Sequence, residues 1–263
     1  MEVICQAVCE KKGLFFKNLF DLFMQITPLN DRNPCIRQVC FKISPFGFEI
    51  YTCFENYVYV IARICHNFFS DFQRNCKEIS FGVSLEHLKN IFKNSKRNDN
   101  IIFKIEGING EVMSMNIETV KFDSNVIFRN DIKVILVQNE LLDYAERISD
   151  GIEINQQEYL SICRSILSQS NNIDISRQDN NLQFVFNLNE MSCSNIIIGN
   201  AVDQPQIQQK FNAHCFKNTH KLTNFGNPVR LYLNNYHPMV LESKTNSFSI
   251  RIWMKSNEQI KGE

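Results

Sequence analysis

Apolar residues recur at helical spacing in four short stretches of this chain, and the opposite face of each stretch carries positive charge. Over residues 14–26 the period places Leu14, Phe16, Leu19, Phe20 and Phe23 inside and Lys17, Asn18 and Asp21 outside. Over 85–96 it buries Leu85, Leu88, Ile91 and Phe92, and it turns Lys89, Lys93 and Lys96 outward; Ser84 is placed to cap this helix. Over 157–168 it buries Tyr159, Ile162, Cys163 and Ile166 and exposes Arg164. Over 215–225 it buries Phe216, Leu222 and Phe225 and exposes Lys217, His220 and Lys221.

Period-two and β-branched runs surround each helix. In the first half they predict strands at Val3–Val8, Ile36–Ser44, Phe48–Cys53, Tyr57–Ile64, Lys77–Val83, Ile101–Glu106, Val112–Glu118 and Ile132–Val137. In the second half they predict Arg147–Ile154, Ile173–Arg177, Leu182–Leu188, Asn195–Ile198, Lys210–Cys215, Val229–Asn234, Met239–Ser243 and Phe248–Met254. Pro45-Phe46-Gly47, the run Gly107–Gly110 and Asp179-Asn180 read as turns, and 201–209 reads as a polar loop. The order strand, helix, strands, helix, strands therefore occurs twice, and 138–146, where the strand pattern breaks, separates the two halves. The repeat is one of pattern and not of residue identity.

Composition narrows the chemistry. With 263 residues, 44% of them hydrophobic and 22 of them phenylalanine, the chain is long enough for one large or two moderate cores. Lys+Arg and Asp+Glu are both 28, so any contact with a polyanion must come from local segregation of charge and be salt-sensitive. The ten cysteines show no Cys-x-x-Cys pair, and no histidine stands at a ligand interval from one; they read as reduced thiols of an intracellular protein without a secretory leader. No apolar run reaches the length of a membrane span. No Gly-rich phosphate loop, Gly-x-Ser-x-Gly or His-Glu-x-x-His is present, and the five histidines are scattered, so no enzymatic activity and no cofactor or metal is expected.

Three segments resemble the proliferating cell nuclear antigen (PCNA) type of sliding clamp. They are 84–93 with 99–102, 158–164 with its Ile162-Cys163-Arg164 core, and 238–242 with 250–254. The order and spacing of helices agree with that family over nearly the whole chain. The resemblance implies an α+β fold of two similar clamp domains, 1–137 and 147–263, joined by a connector at 138–146. Each domain would have antiparallel sheets and two helices, and subunits would join edge to edge into a ring, usually a homotrimer.

The family's role implies a processivity factor that encircles duplex DNA without reading sequence. It would tether a DNA polymerase and other clamp-binding proteins through short peptides and be placed on DNA by a loader. The phosphate-facing residues would be Lys11, Lys12, Lys17, Lys89, Lys93, Lys96, Arg97, Arg164, Lys217, His220 and Lys221. The peptide groove would be formed by Cys53, Tyr57, Val60, Leu141, Leu142, Tyr144, Pro238 and Trp253. The site of action would be the nucleus, or a cytoplasmic replication factory for a viral protein. Two alternatives stay open. One is a checkpoint-clamp subunit or a monomeric or dimeric viral clamp-like factor; the other is an interaction scaffold that kept the fold without encircling DNA.

Overall fold

A computed structural model of the chain describes residues 1–26, 37–54, 57–108, 110–124, 126–135, 137, 151–166, 170–189, 192–201 and 203–261. The chain divides into two compact units. One comprises Met1–Thr52, Ile61–Leu142 and Lys244–Ser249; the other comprises Cys53–Val60, Asp143–Ser243 and Ile250–Glu263. The expected connector at 138–146 lies outside the described residues.

The elements of the first half run β1 (Glu2–Cys9), α1 (Gly13–Ile26), β2 (Gln38–Ser44), β3 (Gly47–Phe54), β4 (Val58–Cys65), β5 (Asp71–Arg74), β6 (Ile79–Ser84), α2 (Leu85–Phe92), β7 (Asn100–Ile108), β8 (Glu111–Val120) and β9 (Ile127–Lys133). One antiparallel sheet has the order β5-β1-β7-β8-β9. A second antiparallel run places β2 between β3 and β6, with Cys40 opposite Tyr51 and Val39 opposite Val83. Helices α1 and α2 lie side by side. Phenylalanines cement this unit: the Phe16 ring stands 4.9 Å from Phe103, 5.6 Å from Phe92 and 6.2 Å from Phe68. Phe48 continues the cluster, 5.7 Å from Phe103 and 4.8 Å from Phe69.

Two glycines are dictated by close approach. A Cβ on Gly13 would stand 2.5 Å from the Lys96 carbonyl oxygen, so α1 enters against the turn that follows α2 only because that residue has no side chain. Gly47 has φ +130°, and a Cβ there would stand 2.0 Å from the Ile64 carbonyl oxygen; it closes the β2–β3 hairpin.

The second half runs β10 (Ile152–Ile154), α3 (Gln156–Ser165), β11 (Asn172–Gln178), β12 (Asn181–Asn189), β13 (Ser192–Ile198), β14 (Ile207–Asn212), α4 (Ala213–Asn218), β15 (Val229–Tyr232), β16 (Met239–Lys244), β17 (Phe248–Met254) and α5 (Asn257–Lys261). One sheet has the order β13-β12-β11-β14, and β15 pairs with β10 and β16. The core here is built on Tyr159, Phe184, Phe186, Phe211 and Phe216, all under 2% exposed. Side-chain oxygens start three of the helices: Ser84 accepts from the His87 N–H, Asn155 from Glu158 and Asn212 from Cys215.

Several expectations are corrected. Leu14 is 37% exposed, because it lies about 200° around the helix from Phe16; the buried stripe is Phe16, Leu19, Phe20, Leu22, Phe23 and Ile26. Ile91 is half-buried on the flank of α2. The helix predicted over 85–96 ends at Phe92, and the one predicted over 157–168 ends at Ser165. The strand expected at Ile132–Val137 is β9, five residues earlier.

The polar loop of 201–209 becomes strand from Ile207, and the helix after it starts at Ala213. From Thr219 to Phe225 that helix continues as a 3-10 helix. Thr219 Oγ1 donates to the Phe216 carbonyl, Thr223 Oγ1 to His220, and a His220 ring nitrogen meets the Lys217 carbonyl, all at a separation of three residues. At that period Phe216, Thr219, Leu222 and Phe225 share one face. This explains why a polar threonine, and no fourth apolar residue, sits fully buried in the stripe. Strand β5 and helix α5, too short for a periodic signal, were not expected.

Candidate nucleic-acid interface

In the first unit, α2 buries Leu85, Leu88 and Phe92 and exposes Lys89; Lys93 at its C-cap and Lys96 and Arg97 beyond it are also exposed. Among the described residues neither Lys89, Lys93 nor Arg97 is in an ion pair. Two neighbouring cations are already engaged. Lys12 Nζ stands 4.6 Å above the centre of the Phe68 ring, and Lys96 Nζ donates to Asp123 Oδ2 at 2.9 Å. That hydrogen bond and the Asp123 charge hold the Lys96 ammonium above its ordinary pKa. Lys17 is half-buried on α1 beside the half-buried Asp21.

The start of α1 and the turn after α2 meet on one aspartate that the periodic pattern did not reveal. Asp99 is 1% exposed. Its Oδ2 accepts from Lys121 Nζ at 2.6 Å and from the Lys96 N–H at 2.8 Å, and its Oδ1 accepts from the Phe122 N–H at 3.4 Å. Its carbonyl oxygen accepts from the N–H groups of Lys12 and Gly13, at 3.1 and 3.0 Å. The neighbouring Asn100 Oδ1 accepts from the Lys11 N–H at 2.9 Å, with Lys11 in the left-handed region at φ 54°.

Burial by itself would raise the Asp99 carboxyl. The hydrogen bonds from Lys121, Lys96 and Phe122 and the Lys121 charge outweigh it and hold the group below its ordinary value. The sign of the linkage follows. A carboxylate with a depressed folded pKa contributes stability above the unfolded value of about 3.9, and loses it as pH falls through the folded value. The stability gap between the parent chain and Asp99→Asn is therefore expected to be full at pH 7 and to narrow as denaturant melts are taken into the acid range. A gap of unchanged size in acid would remove the charge from this account.

In the second unit, Arg164 is exposed in the last turn of α3, and Lys217, His220 and Lys221 are half-buried on α4 and the 3-10 helix after it. These two segments are tied in the core. The Tyr159 hydroxyl donates to Thr219 Oγ1, which in turn donates to the Phe216 carbonyl. Tyr159 is fully enclosed, and burial pushes its phenol well above the ordinary tyrosine value.

The residues expected to form the peptide groove are placed unequally. Val60 is fully buried, and Trp253 is 7% exposed with its ring 5.4 Å from Tyr59. Cys53, Tyr57 and Pro238 are half-buried; the Tyr57 ring stands 5.3 Å from Phe54, and its carbonyl accepts from the Lys255 N–H. Leu141, Leu142 and Tyr144 lie outside the described residues. Tyr59, the ring partner of Trp253, was not singled out beforehand, although it lies between two residues that were.

Each unit also presents a sheet edge. Among the described residues β9 pairs with β8 and with no other strand, and β13 likewise pairs with β12 alone. Ile127 and Phe128 on β9 are 48% and 52% exposed, and Ile197 on β13 is 42% exposed. A cleft of about 900 Å³ runs between α2 and β9, past Ile91 and Ile132. A smaller one of about 260 Å³ lies between α3 and β13, past Ile162 and Ile196–Ile198. Among the described residues no group of three His, Cys, Asp or Glu side chains is placed to hold a metal ion. No helix among them is long and apolar enough to cross a membrane.

Two α+β units, each with helices laid on antiparallel sheet and with a free strand edge, are the plan of a PCNA-type clamp, and the chain has that fold. It is similar to the crystal structure of proliferating cellular nuclear antigen from Entamoeba histolytica, with a TM-score of 0.78 at 18% identity over 97% of this chain and 100% of that one. In sequence it is 23% identical over 262 residues to uncharacterized protein 060L of Invertebrate iridescent virus 3, covering 94% of this chain and 85% of that protein. No protein-family model matches the chain.

Proposed function

We propose that this protein is a DNA sliding clamp: a non-catalytic processivity factor that encircles duplex DNA and tethers replication proteins to it. The observation that carries the proposal is the exposed lysine pair Lys89 and Lys93, on α2 and at its C-cap, which makes no ion pair among the described residues and stands opposite the buried face of the helix. Such side chains contact phosphates without reading bases, which sliding requires, because base contacts worth about 1–3 kcal/mol each would arrest the ring at particular sequences. Arg164, Lys217 and Lys221 supply the same chemistry from the second unit. Partners dock through short peptides near Tyr57 and Pro238, and a loader that uses ATP opens and closes the ring. The site of action is wherever its genome replicates, the nucleus or a cytoplasmic factory.

The free edges of β9 and β13 support assembly of a homotrimer, since an exposed apolar strand edge in water invites pairing with another strand. Light scattering is expected to give a native mass near three times the 30.8 kDa chain. Ile197→Asp is expected to leave chain stability within about 0.5 kcal/mol and to shift the mass toward monomer, with about 1.5–3 kcal/mol lost at each interface. A parent chain that stays monomeric at high concentration would remove the ring. The direct test of encirclement is retention, after loading, on closed circular duplex and release once the circle is cut. Equal retention on circular and linear DNA would leave an interaction scaffold in place of a clamp.

A further inference from the structure

Four of the cations assigned to DNA sit on two turns of the first unit. Lys11 and Lys12 precede α1, and Lys96 and Arg97 follow α2. Nothing in the helical period sets the position of either turn. What does is a buried group between them. Asp99 takes the N–H groups of Lys12 and Gly13 on its carbonyl and that of Lys96 on its carboxylate. Asn100 takes the N–H of Lys11 and thereby holds a non-glycine residue at positive φ. Lys121 closes the arrangement from the end of β8, donating to Asp99 Oδ2 and, at 2.8 Å, to the Asn94 carbonyl. Two residues beyond it Asp123 engages Lys96. Gly13 leaves no slack, since its Cα faces the Lys96 carbonyl at a distance that admits no side chain.

We propose that Asp99, held by Lys121, is a positioning residue for DNA contact: its carboxylate fixes the turn of Lys96 and Arg97 against the turn that its own carbonyl and Asn100 hold, so that Lys11 and Arg97, the cations of these turns not engaged by Phe68 or Asp123, meet phosphates together, while Asp99 touches no DNA itself. The inference deepens the clamp reading and rests on it. In Asp99→Asn, Lys121 loses its counter-charge, and one amide oxygen replaces the two carboxylate oxygens that accept from Lys121, Lys96 and Phe122, while the carbonyl that holds Lys12 and Gly13 stays. The turn of Lys96 and Arg97 then samples several positions, and the cost of ordering it is met at each encounter with DNA.

The test uses the full chain and a short linear duplex, with affinity read by fluorescence anisotropy from about 0.05 to 0.2 M salt. All measurements are made well below each variant's melting temperature. Asp99→Asn is expected to bind about three- to tenfold more weakly and to flatten the dependence of log K on log salt by about one contact's worth. Its circular dichroism should match the parent's. Lys121→Met added to Asp99→Asn is expected to cost little more, because the two act as one unit. If Asp99→Asn does not fold, Asn100→Ala, which releases only the Lys11 N–H, is expected to weaken binding about twofold in the same direction.

Parent affinity and parent salt slope in the folded variants, with only the melting temperature lowered, would make Asp99 a structural residue and overturn the inference. Lys89→Glu with Lys93→Glu, run alongside, separates the two levels. Weakened binding in that chain with none in the Asp99 and Asn100 variants leaves the clamp standing and removes the positioning role. A parent chain that binds no linear duplex removes the phosphate contacts and with them the positioning role, while retention on closed circular duplex decides the clamp reading separately.

Discussion

Replacing Lys89 and Lys93 together by glutamate is expected to weaken binding to duplex DNA by about 50-fold at 0.1 M salt, with folding and native mass unchanged. Both side chains are exposed, one on α2 and one at its C-cap, and among the described residues they make no ion pair, so nothing in the fold is lost with them. Each phosphate contact releases a counterion and contributes a slope of about 0.9 to log K against log salt, so two contacts are worth somewhat under a hundredfold at 0.1 M. Reversal adds repulsion to that loss, while screening over about 10 Å moderates it. Processive synthesis by the cognate polymerase should fall with it. Unchanged affinity and unchanged salt slope would remove α2 from the interface and leave the channel assignment without its clearest helix.

The largest expected effect on stability comes from Phe16→Ala. The ring is fully buried and meets Phe15, Phe20, Phe68, Phe92 and Phe103 within 6.4 Å. Truncation removes the transfer term and leaves a cavity among rigid rings that close only in part, so a loss of about 3–5 kcal/mol is expected in denaturant melts. Phe16 and Phe20 also stack on Phe92, at 5.6 and 5.2 Å, which holds α1 against α2. The same substitution should therefore disturb DNA contact at temperatures where the chain is still mostly folded. A loss under about 1 kcal/mol, within the range of a surface change, would mean that the cluster is not the core of this unit.

Legibility varied by residue for identifiable reasons. The stripe Phe16, Leu19, Phe20 and Phe23 was visible because an isolated helix must bury one face, and the period is local. Leu14 is apolar but lies at the first turn, about 200° around the helix from Phe16, where the buried stripe does not reach. The segment 216–225 carried a period of three, and Thr219 concealed it: a threonine reads as surface until its hydroxyl is seen bonded inward to Tyr159 and Phe216. Trp253 stood out as the one tryptophan, yet what it packs against, Tyr59, is almost two hundred residues away. Asp99 stands in a segment that carries the family resemblance, but its burial left no mark in the sequence, because a buried acid in a turn looks like any solvated aspartate until its donors arrive from three separate segments.

What the chain determines by itself is therefore most of its inventory of elements, the faces they bury, the repeated order in its two halves and the polar face on which each basic residue stands. All of these follow from interactions within a few residues, where spacing and side-chain type are enough. Tertiary structure alone decided which lysines are free and which are held, as with Lys89 and Lys93 against Lys12 and Lys96. It also decided which of the described strands remain edges and which aspartate ties two basic turns, one through its carboxylate and the other through its carbonyl. Those outcomes depend on partners distant in sequence, brought within hydrogen-bond reach only when the sheets close.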